Sequence, residues 1–158
     1  MQIDRIDPTA AVIYPIVSPD ESGESVRLDV ILSLPKQPLR NYHTQIPQSE
    51  FEATLGLFRQ ALSLSFPESQ RLQHFQTVYD WSIRPMEADL EDNHIKTLVF
   101  VLNDALRNLP IAALYDGQRY LIEKYAVALT PGLQLLEPRP IDPSRLNVFV
   151  GGLSESRQ

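Results

Sequence analysis

The side chains that could do chemistry are spread along the sequence without the spacing of a catalytic or metal site. Its three histidines, His43, His74 and His94, are far apart, and none stands at metal-ligand spacing from another histidine or a carboxylate. No serine lies in a GxSxG sequence, the pattern of a nucleophile elbow. We therefore expect histidines that lie at the surface or make local hydrogen bonds. The alternative is a small hydrolase that draws on His43, His94, Asp104 or Asp116, which the spacing does not favour.

Acidic residues and glycines each form one suggestive group. Residues 86–94 contain four carboxylates but lack the ligand order and central glycine of an EF-hand loop, so the sequence favours a solvated connection. Gly151 and Gly152 follow a strand-like run, yet neither GxGxxG nor GK[ST] is present, which favours a simple strand exit over a phosphate loop. The sequence thus predicts neither a metal nor a cofactor. The four carboxylates are Glu87, Asp89, Glu91 and Asp92.

Composition excludes several classes of function. The sequence contains no cysteine, which removes disulfides, thiolate metal sites and cysteine nucleophiles. A net charge of -6 at pH 7 leaves no general basic field for nucleic acid. No apolar run approaches the ~20 residues that span a bilayer, and the first residues lack the form of a signal peptide. We expect a cytoplasmic protein that binds neither nucleic acid nor membrane.

Alternating hydrophobicity predicts an N-terminal β region over residues 1–46. Residues 11–17 and 26–34 have the pattern of two strands of a β-hairpin, and residues 39–46 add a short third strand. Pro15 lacks an amide proton, so we expect the first strand to lie at an edge or to be broken there.

Helical spacing predicts an αα-hairpin over residues 47–85. Ser49 with Glu52, and Ser65 with Glu68, have the spacing of capping boxes at the two helix starts. The predicted buried stripes are Phe51, Leu55, Phe58 and Leu62 on the first helix, and Leu72, Phe75, Val78, Tyr79 and Ile83 on the second.

The second half of the chain predicts a mixed sheet, so the fold class is mixed α/β (α+β). Its central strands are expected near 97–102, 120–129 and 146–150. The apolar run 98–102 is typical of a mid-sheet strand buried on both faces. Residues 120–129 are expected to be its hairpin partner or sheet neighbour, after a turn at Asp116-Gly117.

Several punctuated elements of this half resemble the CHAT domain, the caspase-like peptidase family associated with tetratricopeptide repeats. They are the apolar strand, Leu106-Arg107-Asn108-Leu109-Pro110, residues 112–117, residues 120–127 and Thr130-Pro131-Gly132. The resemblance runs from about residue 79 to 150 and covers the N-terminal half of such a domain. It implies that the family's catalytic His and Cys would lie downstream of residue 158.

We therefore expect residues 1–158 to form a single or partial domain whose residues 95–150 are the CHAT-like sheet segment. The leading hypothesis is a non-catalytic segment that acts as a scaffold or protein-interaction surface, its partner being another protein or the missing catalytic half. Unpaired strand edges recruit other strands, so we also expect a homo-oligomer. The rival is a stand-alone regulatory module that docks through the αα-hairpin. Candidate structural or partner-facing residues are Arg107, Asn108, Pro110, Asp116 and Gly117.

Overall fold

Five strands form one mixed sheet in the computed structural model, which describes residues 7–61, 67–102, 106–107 and 109–131. The sheet order is β3-β2-β1-β4-β5, in which β1, β2 and β3 form an antiparallel meander while β4 runs parallel to both β1 and β5. This architecture confirms the predicted mixed sheet and N-terminal hairpin. The strands are β1 (Ala10–Pro19), β2 (Ser25–Ser33), β3 (Arg40–Pro47), β4 (Thr97–Val101) and β5 (Ala126–Thr130).

The helices pack on one face of this sheet, because their apolar stripes share a single core with alternate residues of the strands. Two of them form the predicted αα-hairpin, and the others are short. The helices are α1 (Gln48–Gln60), α2 (Glu68–Ser82), α3 (Glu87–Asp92) and α4 (Leu121–Lys124), with 3-10 turns at Arg84–Met86 and Ile111–Ala113.

The two-residue alternation along β2 and the helical spacing along α1 and α2 both identify buried residues of the core. On β2, the residues at even positions from Val26 to Leu32 are buried under the helices. The rings of Phe58 on α1 and Phe75 on α2 lie 4.6 Å apart between their centroids. Of the two predicted stripes, Leu72 is only half-buried and Leu62 lies outside the described residues. The buried members are Phe51, Leu55, Phe58, Phe75, Val78, Tyr79 and Ile83.

The expectation that Pro15 puts β1 at an edge or breaks it is wrong for the strand as a whole. β1 is the middle strand and runs unbroken through Pro15, which pairs with Val30 of β2. Pairing with β4 stops at Ile13, however, so among the described strands only β2 pairs with β1 at Pro15. The missing amide proton therefore costs no hydrogen bond to β4.

Residues 120–129 do not form one strand. The first part is the helical turn α4, because Tyr120 is extended and its amide donates to Glu123 Oε2 at 2.6 Å, which starts the turn. Only Ala126–Thr130 is a strand, and it pairs parallel to β4. The predicted sheet neighbour is confirmed, whereas the hairpin alternative is wrong.

Burial along β4 alternates. Leu98 and Phe100 are buried under the helices, while Val99 and Val101 on the opposite face are half-buried. The predicted mid-sheet position is confirmed. Full burial was predicted for both faces of β4 but is observed only on the face that the helices cover.

The remaining sequence predictions on local structure have mixed outcomes. Neither long helix has a side-chain cap: α1 begins after Pro47, so Ser49 lies inside it, and α2 begins after Pro67. Residues 62–66, with Ser65, and residues 132–158, with the strand expected at 146–150 and the two glycines, lie outside the described residues. No helix within the described ranges is long and apolar enough to cross a membrane.

Replacing Phe58 by alanine should lower the free energy of unfolding by about 3–5 kcal/mol, because its fully buried ring fills space between α1 and α2. Urea denaturation measures this change. Leu39→Ala is the control, because that side chain is 68% exposed and its removal should change stability by less than about 0.5 kcal/mol. Equal effects of the two substitutions would contradict the described core.

Candidate functional site

Three side chains from separate elements meet around the ammonium group of Lys124. Lys124 ends α4, Glu87 begins α3, Asp116 lies in the loop before α4, and Tyr79 comes from the last part of α2. We call this group, together with Arg84, the ion cluster. It joins the helical layer to the crossover between β4 and β5.

Lys124 makes three short contacts at the centre of the ion cluster. Its Nζ lies 2.6 Å from Glu87 Oε1, 3.1 Å from Asp116 Oδ2 and 3.3 Å from the hydroxyl of Tyr79. The Lys124 side chain is only 10% exposed. An ammonium group has three protons to donate, so these three oxygen acceptors satisfy it completely.

Glu87 is held from both sides of its carboxylate. The Tyr79 hydroxyl donates to Oε1 at 2.7 Å, beside Lys124, and Arg84 donates to Oε2 at 3.1 Å. Arg84 also donates to Asp80 Oδ1 and to the backbone carbonyl of Asp116, and its guanidinium lies 4.9 Å from the centroid of the Tyr79 ring. Two cations thus offset the charge of one largely buried carboxylate.

Asp116 and Gly117 shape the turn that brings Asp116 to Lys124. Asp116 Oδ1 accepts hydrogen bonds from the amides of Gln118 and Arg119, both at 2.7 Å, which leaves Oδ2 for Lys124. Gly117 has φ +106°, a conformation that favours glycine, and a Cβ there would lie 3.3 Å from Nε2 of Gln76. The turn expected at these residues is present.

The pKa shifts in the ion cluster all favour the ordinary protonation states. Burial by itself would raise the pKa of Glu87 and lower that of Lys124, but their mutual hydrogen bond outweighs it, together with the bond that Tyr79 donates to Glu87 and the bond that Lys124 donates to Asp116. The pKa of Glu87 is therefore lowered and that of Lys124 raised. Burial and the acceptor Glu87 both raise the pKa of the Tyr79 hydroxyl.

The pKa of Asp116 is lowered in the same way as that of Glu87. Burial would raise its pKa, but the amides of Arg119 and Gln118, with Lys124, lower it.

The geometry of the ion cluster favours a structural role over a catalytic one. A nucleophilic lysine needs a lowered pKa, and a general acid or base needs a pKa near the working pH. The ion cluster instead raises the pKa of Lys124 and lowers the pKa values of Glu87 and Asp116. Hydrogen-bond partners already occupy the ammonium group of Lys124 and both oxygens of Glu87.

Among the described residues, the three histidines stand on separate elements. His43 is exposed on β3, His94 is exposed after α3 with φ +52°, and His74 is half-buried on α2. Arg107 is exposed and lines a groove of about 280 Å³ with Leu102 and Leu129. No described contact joins Arg107 to the ion cluster.

Of the candidate residues that the structure describes, Asp116 belongs to the ion cluster, and Gly117 shapes the turn that holds it. Pro110 is half-buried ahead of the 3-10 turn at Ile111–Ala113. Asn108, like Asp104, lies outside the described residues.

The acidic run was expected to be a solvated connection, which is wrong for half of its carboxylates. Residues 87–92 form α3, whose Leu90 is buried, so the helix must turn one side towards the core. Glu87 and Asp89 point to cations, Lys124 and Arg40 respectively. Within the ranges that the structure describes, no group of three or more His, Asp or Glu side chains is arranged to hold a metal ion.

Sequence reasoning missed the centre of the ion cluster. It identified Tyr79 as a core residue, but nothing local to Tyr79, Glu87 or Lys124 indicates that they meet. The available signal is indirect: a lysine in a short stretch that also holds the buried Leu121 and Tyr125 is placed close to the core.

Replacing Lys124 by methionine should lower the free energy of unfolding by about 2–3 kcal/mol, because it leaves Glu87 and Asp116 with less compensation in a largely buried place. Urea denaturation at pH 7 measures this. Arg27→Met is the matched control: it removes a cation from the ion pair with Asp29, where Arg27 is largely exposed, and should cost no more than about 1 kcal/mol. Equal losses would show that the ion cluster contributes no more than a surface ion pair.

Stability should fall as the pH drops below about 5, because Glu87 and Asp116 have lower pKa values in the folded chain than in the unfolded one. The unfolded chain then binds more protons, so unfolding is favoured until the pH passes below the folded pKa values. Unfolding free energies measured between pH 3 and 7 should show a smaller slope for Glu87→Gln than for the unsubstituted chain. An unchanged slope would contradict the assignment to Glu87.

At alkaline pH the dependence of folding stability on pH has the opposite sign. The raised pKa values of Lys124 and Tyr79 add stability below their unfolded values, near 10, which is lost as the pH rises further.

Comparison with known proteins adds one finding. The profile of the CHAT domain family matches residues 72–158, which begin within α2 and include α3, β4, α4 and β5. No curated protein matches the chain. The matched region is more than half of the 158 residues, and it holds the whole ion cluster. The chain therefore belongs to the CHAT domain family, a caspase-like peptidase family.

Proposed function

We propose that the chain is a non-catalytic part of a caspase-like domain, which acts as a scaffold and as a protein-interaction surface. The observation that carries this proposal is the closed ion cluster in the family-matched region. Its lysine, its tyrosine and its carboxylates are paired with one another, and their pKa values are shifted away from those useful for proton transfer. A cytoplasmic location is part of the same proposal.

The absence of cysteine from the sequence supports the proposal that the chain is non-catalytic. Thiol proteolysis needs a cysteine nucleophile beside a base, and the sequence contains no cysteine. In the part of the chain that the structure describes, no hydrogen bond joins the exposed His43 or His94 to a serine or threonine hydroxyl. The family-matched part instead contributes β4 and β5 to the sheet and α3 and α4 to the helical layer.

The scaffold offers the outer edge of β5 as its interaction surface. β5 pairs with β4 on one side, and no described strand pairs with its other side. The backbone groups along that edge are those to which another strand can add. We propose that the scaffold is continued there by a further strand, from the remainder of the domain, a partner protein or a second copy.

A regulatory module that docks through the αα-hairpin remains the second candidate, because one groove favours it. This groove, of about 540 Å³, lies between α1 and the ends of β1 and β2, and Val17, Phe51 and Leu55 line part of it. Gly56 also lines it, and a Cβ there would meet nothing within 4 Å. Gly56→Arg would therefore fill the groove without disturbing α1, and loss of partner binding on that change alone would favour this candidate.

Incubation of the purified chain with a peptide library should yield no cleavage beyond that of a mock preparation from the same host. A thiol-directed activity probe should likewise label nothing, because there is no thiol to react. Cleavage that stays with the protein through size-exclusion chromatography, and that the mock preparation lacks, would contradict the non-catalytic proposal.

A further inference from the structure

The groove between α1 and the hairpin of β1 and β2 has an apolar floor. Val26 of β2 and Phe51 and Leu55 of α1 are buried at its base, and Val17 of β1 is half-buried beside them. Its volume of about 540 Å³ has room for several side chains. The groove therefore has the form of a site that receives apolar side chains of a partner.

The part of β1 that lines this groove is poorly suited to the addition of a strand. Among the described strands, only β2 pairs with β1 beyond Ile13. This stretch contains Pro15 and Pro19, and proline protects a strand edge because it has no amide proton to donate. We therefore expect a partner to use side chains rather than backbone hydrogen bonds, which favours an amphipathic helix over a strand.

The rim of the groove is acidic where the β-hairpin meets α1. The amide of Gln48, which lines the groove, donates to the carbonyl oxygen of Glu24 at 2.9 Å and joins the hairpin tip to the start of α1. Glu21 and Glu24 at the tip, and Glu50 and Glu52 on α1, have exposed side chains. Carboxylates placed beside an apolar groove attract a partner that carries lysine or arginine next to its apolar residues.

Asp20 adds a fixed charge to the same rim. Its carboxylate accepts hydrogen bonds from the Ser25 hydroxyl at 2.6 Å, the Gly23 amide at 2.7 Å and the Ser22 hydroxyl at 2.9 Å. These bonds, above all that from Ser25, lower the pKa of Asp20 to about 2, so it is ionised at neutral pH. Among the described residues that line the groove, the one cation is Arg59, in the last turn of α1. Negative charge is thus concentrated at the hairpin end.

We propose that this groove binds a basic amphipathic helix of a partner protein. The apolar side chains of that helix enter the groove, and its lysine or arginine side chains face the carboxylates of the hairpin tip and of α1. The inference rests on the proposed function of a module that docks through the αα-hairpin, and it names the class of partner. It also adds the β1–β2 hairpin to the docking surface, because both strands line the groove.

A displayed library of helical peptides tests this without knowledge of the natural partner. Each peptide carries leucines at the spacing of one helix face, and its other positions vary among lysine, glutamate and serine. Peptides retained on the unsubstituted chain should contain several-fold more lysine than glutamate. Retention of no peptide, or of peptides without this excess, would overturn the proposal.

Two arginine substitutions on α1 separate binding in the groove from general attraction between charges. Gly56 lines the groove and has open space around a Cβ, whereas Ala53 is exposed and does not line it. Gly56→Arg should weaken the binding of a retained peptide at least tenfold, and Ala53→Arg, the matched control, no more than about twofold. Fluorescence titration measures both, and urea denaturation confirms that both variants are folded. Equal losses, or no loss for Gly56→Arg, would show that the peptide binds elsewhere.

The role of the acidic rim has its own matched pair of variants. Glu21→Gln with Glu24→Gln removes two charges from the hairpin tip, and Glu91→Gln with Asp92→Asn removes two exposed charges from α3, which does not line the groove. The first should weaken peptide binding at least threefold at low salt and the second should leave it unchanged. Equal effects would contradict the assignment to this rim. Failure of any of these tests would not affect the non-catalytic proposal, which the peptide-cleavage assay tests separately.

Discussion

The contact between Lys124 and Glu87 is the interaction on which the arrangement of the described elements from α3 to β5 depends. It connects α4, which leads into β5, with α3, which leads into β4. An isolated charge in this place would be strongly unfavourable, so each charge makes the other tolerable. The consequence is geometric: α3 and the loop before α4 can each move only if a largely buried ion loses its partner. Such a contact adds little net stability over apolar packing of the same volume. It joins two short helices that each also bury a leucine, Leu90 on α3 and Leu121 on α4.

Helix α2 extends this constraint to the rest of the molecule. Tyr79 on α2 donates to Glu87, while Phe75 one turn earlier packs on Phe58 of α1. The family match begins at residue 72, in the same helix, so α2 belongs to both the matched region and the helical hairpin. The sheet joins the two parts as well, since Ala10–Ile13 of β1 pair with Thr97–Phe100 of β4. The N-terminal meander is thus a continuation of the sheet of the family-matched part.

The sequence predicted those features whose signal is local. Val26, Leu28 and Val30 alternate because β2 covers one side of a core, and Phe51, Leu55 and Phe58 recur at helical spacing for the same reason. α4 escaped prediction because one helical turn is too short to show a period, and what starts it is a hydrogen bond from an amide to Glu123. Pro15 was misjudged because the rule about edges applies to each stretch of a strand, and β1 changes from two neighbours to one partway along.

The ion cluster could not be predicted, since Tyr79 and Lys124 are 45 residues apart in sequence and a charged residue carries no signal of what it will meet. The turn at Asp116-Gly117 was predictable from its dipeptide, but the role of its free carboxylate oxygen depends on tertiary structure. The family resemblance predicted the sheet segment that forms the scaffold. Only the distances around Lys124 show which of its polar side chains pair with one another.

The reactivity of Lys124 tests most directly whether this centre is structural. The three lysines of the sequence are Lys36, Lys96 and Lys124, and the first two are exposed. Competitive labelling with a limiting amount of an amine-reactive reagent between pH 7 and 9, followed by mass spectrometry, compares them in the same molecule. A protonated and enclosed Lys124 should be modified at least tenfold more slowly than the other two. Labelling of Lys124 at neutral pH as fast as that of Lys36 and Lys96, or faster, would contradict the account.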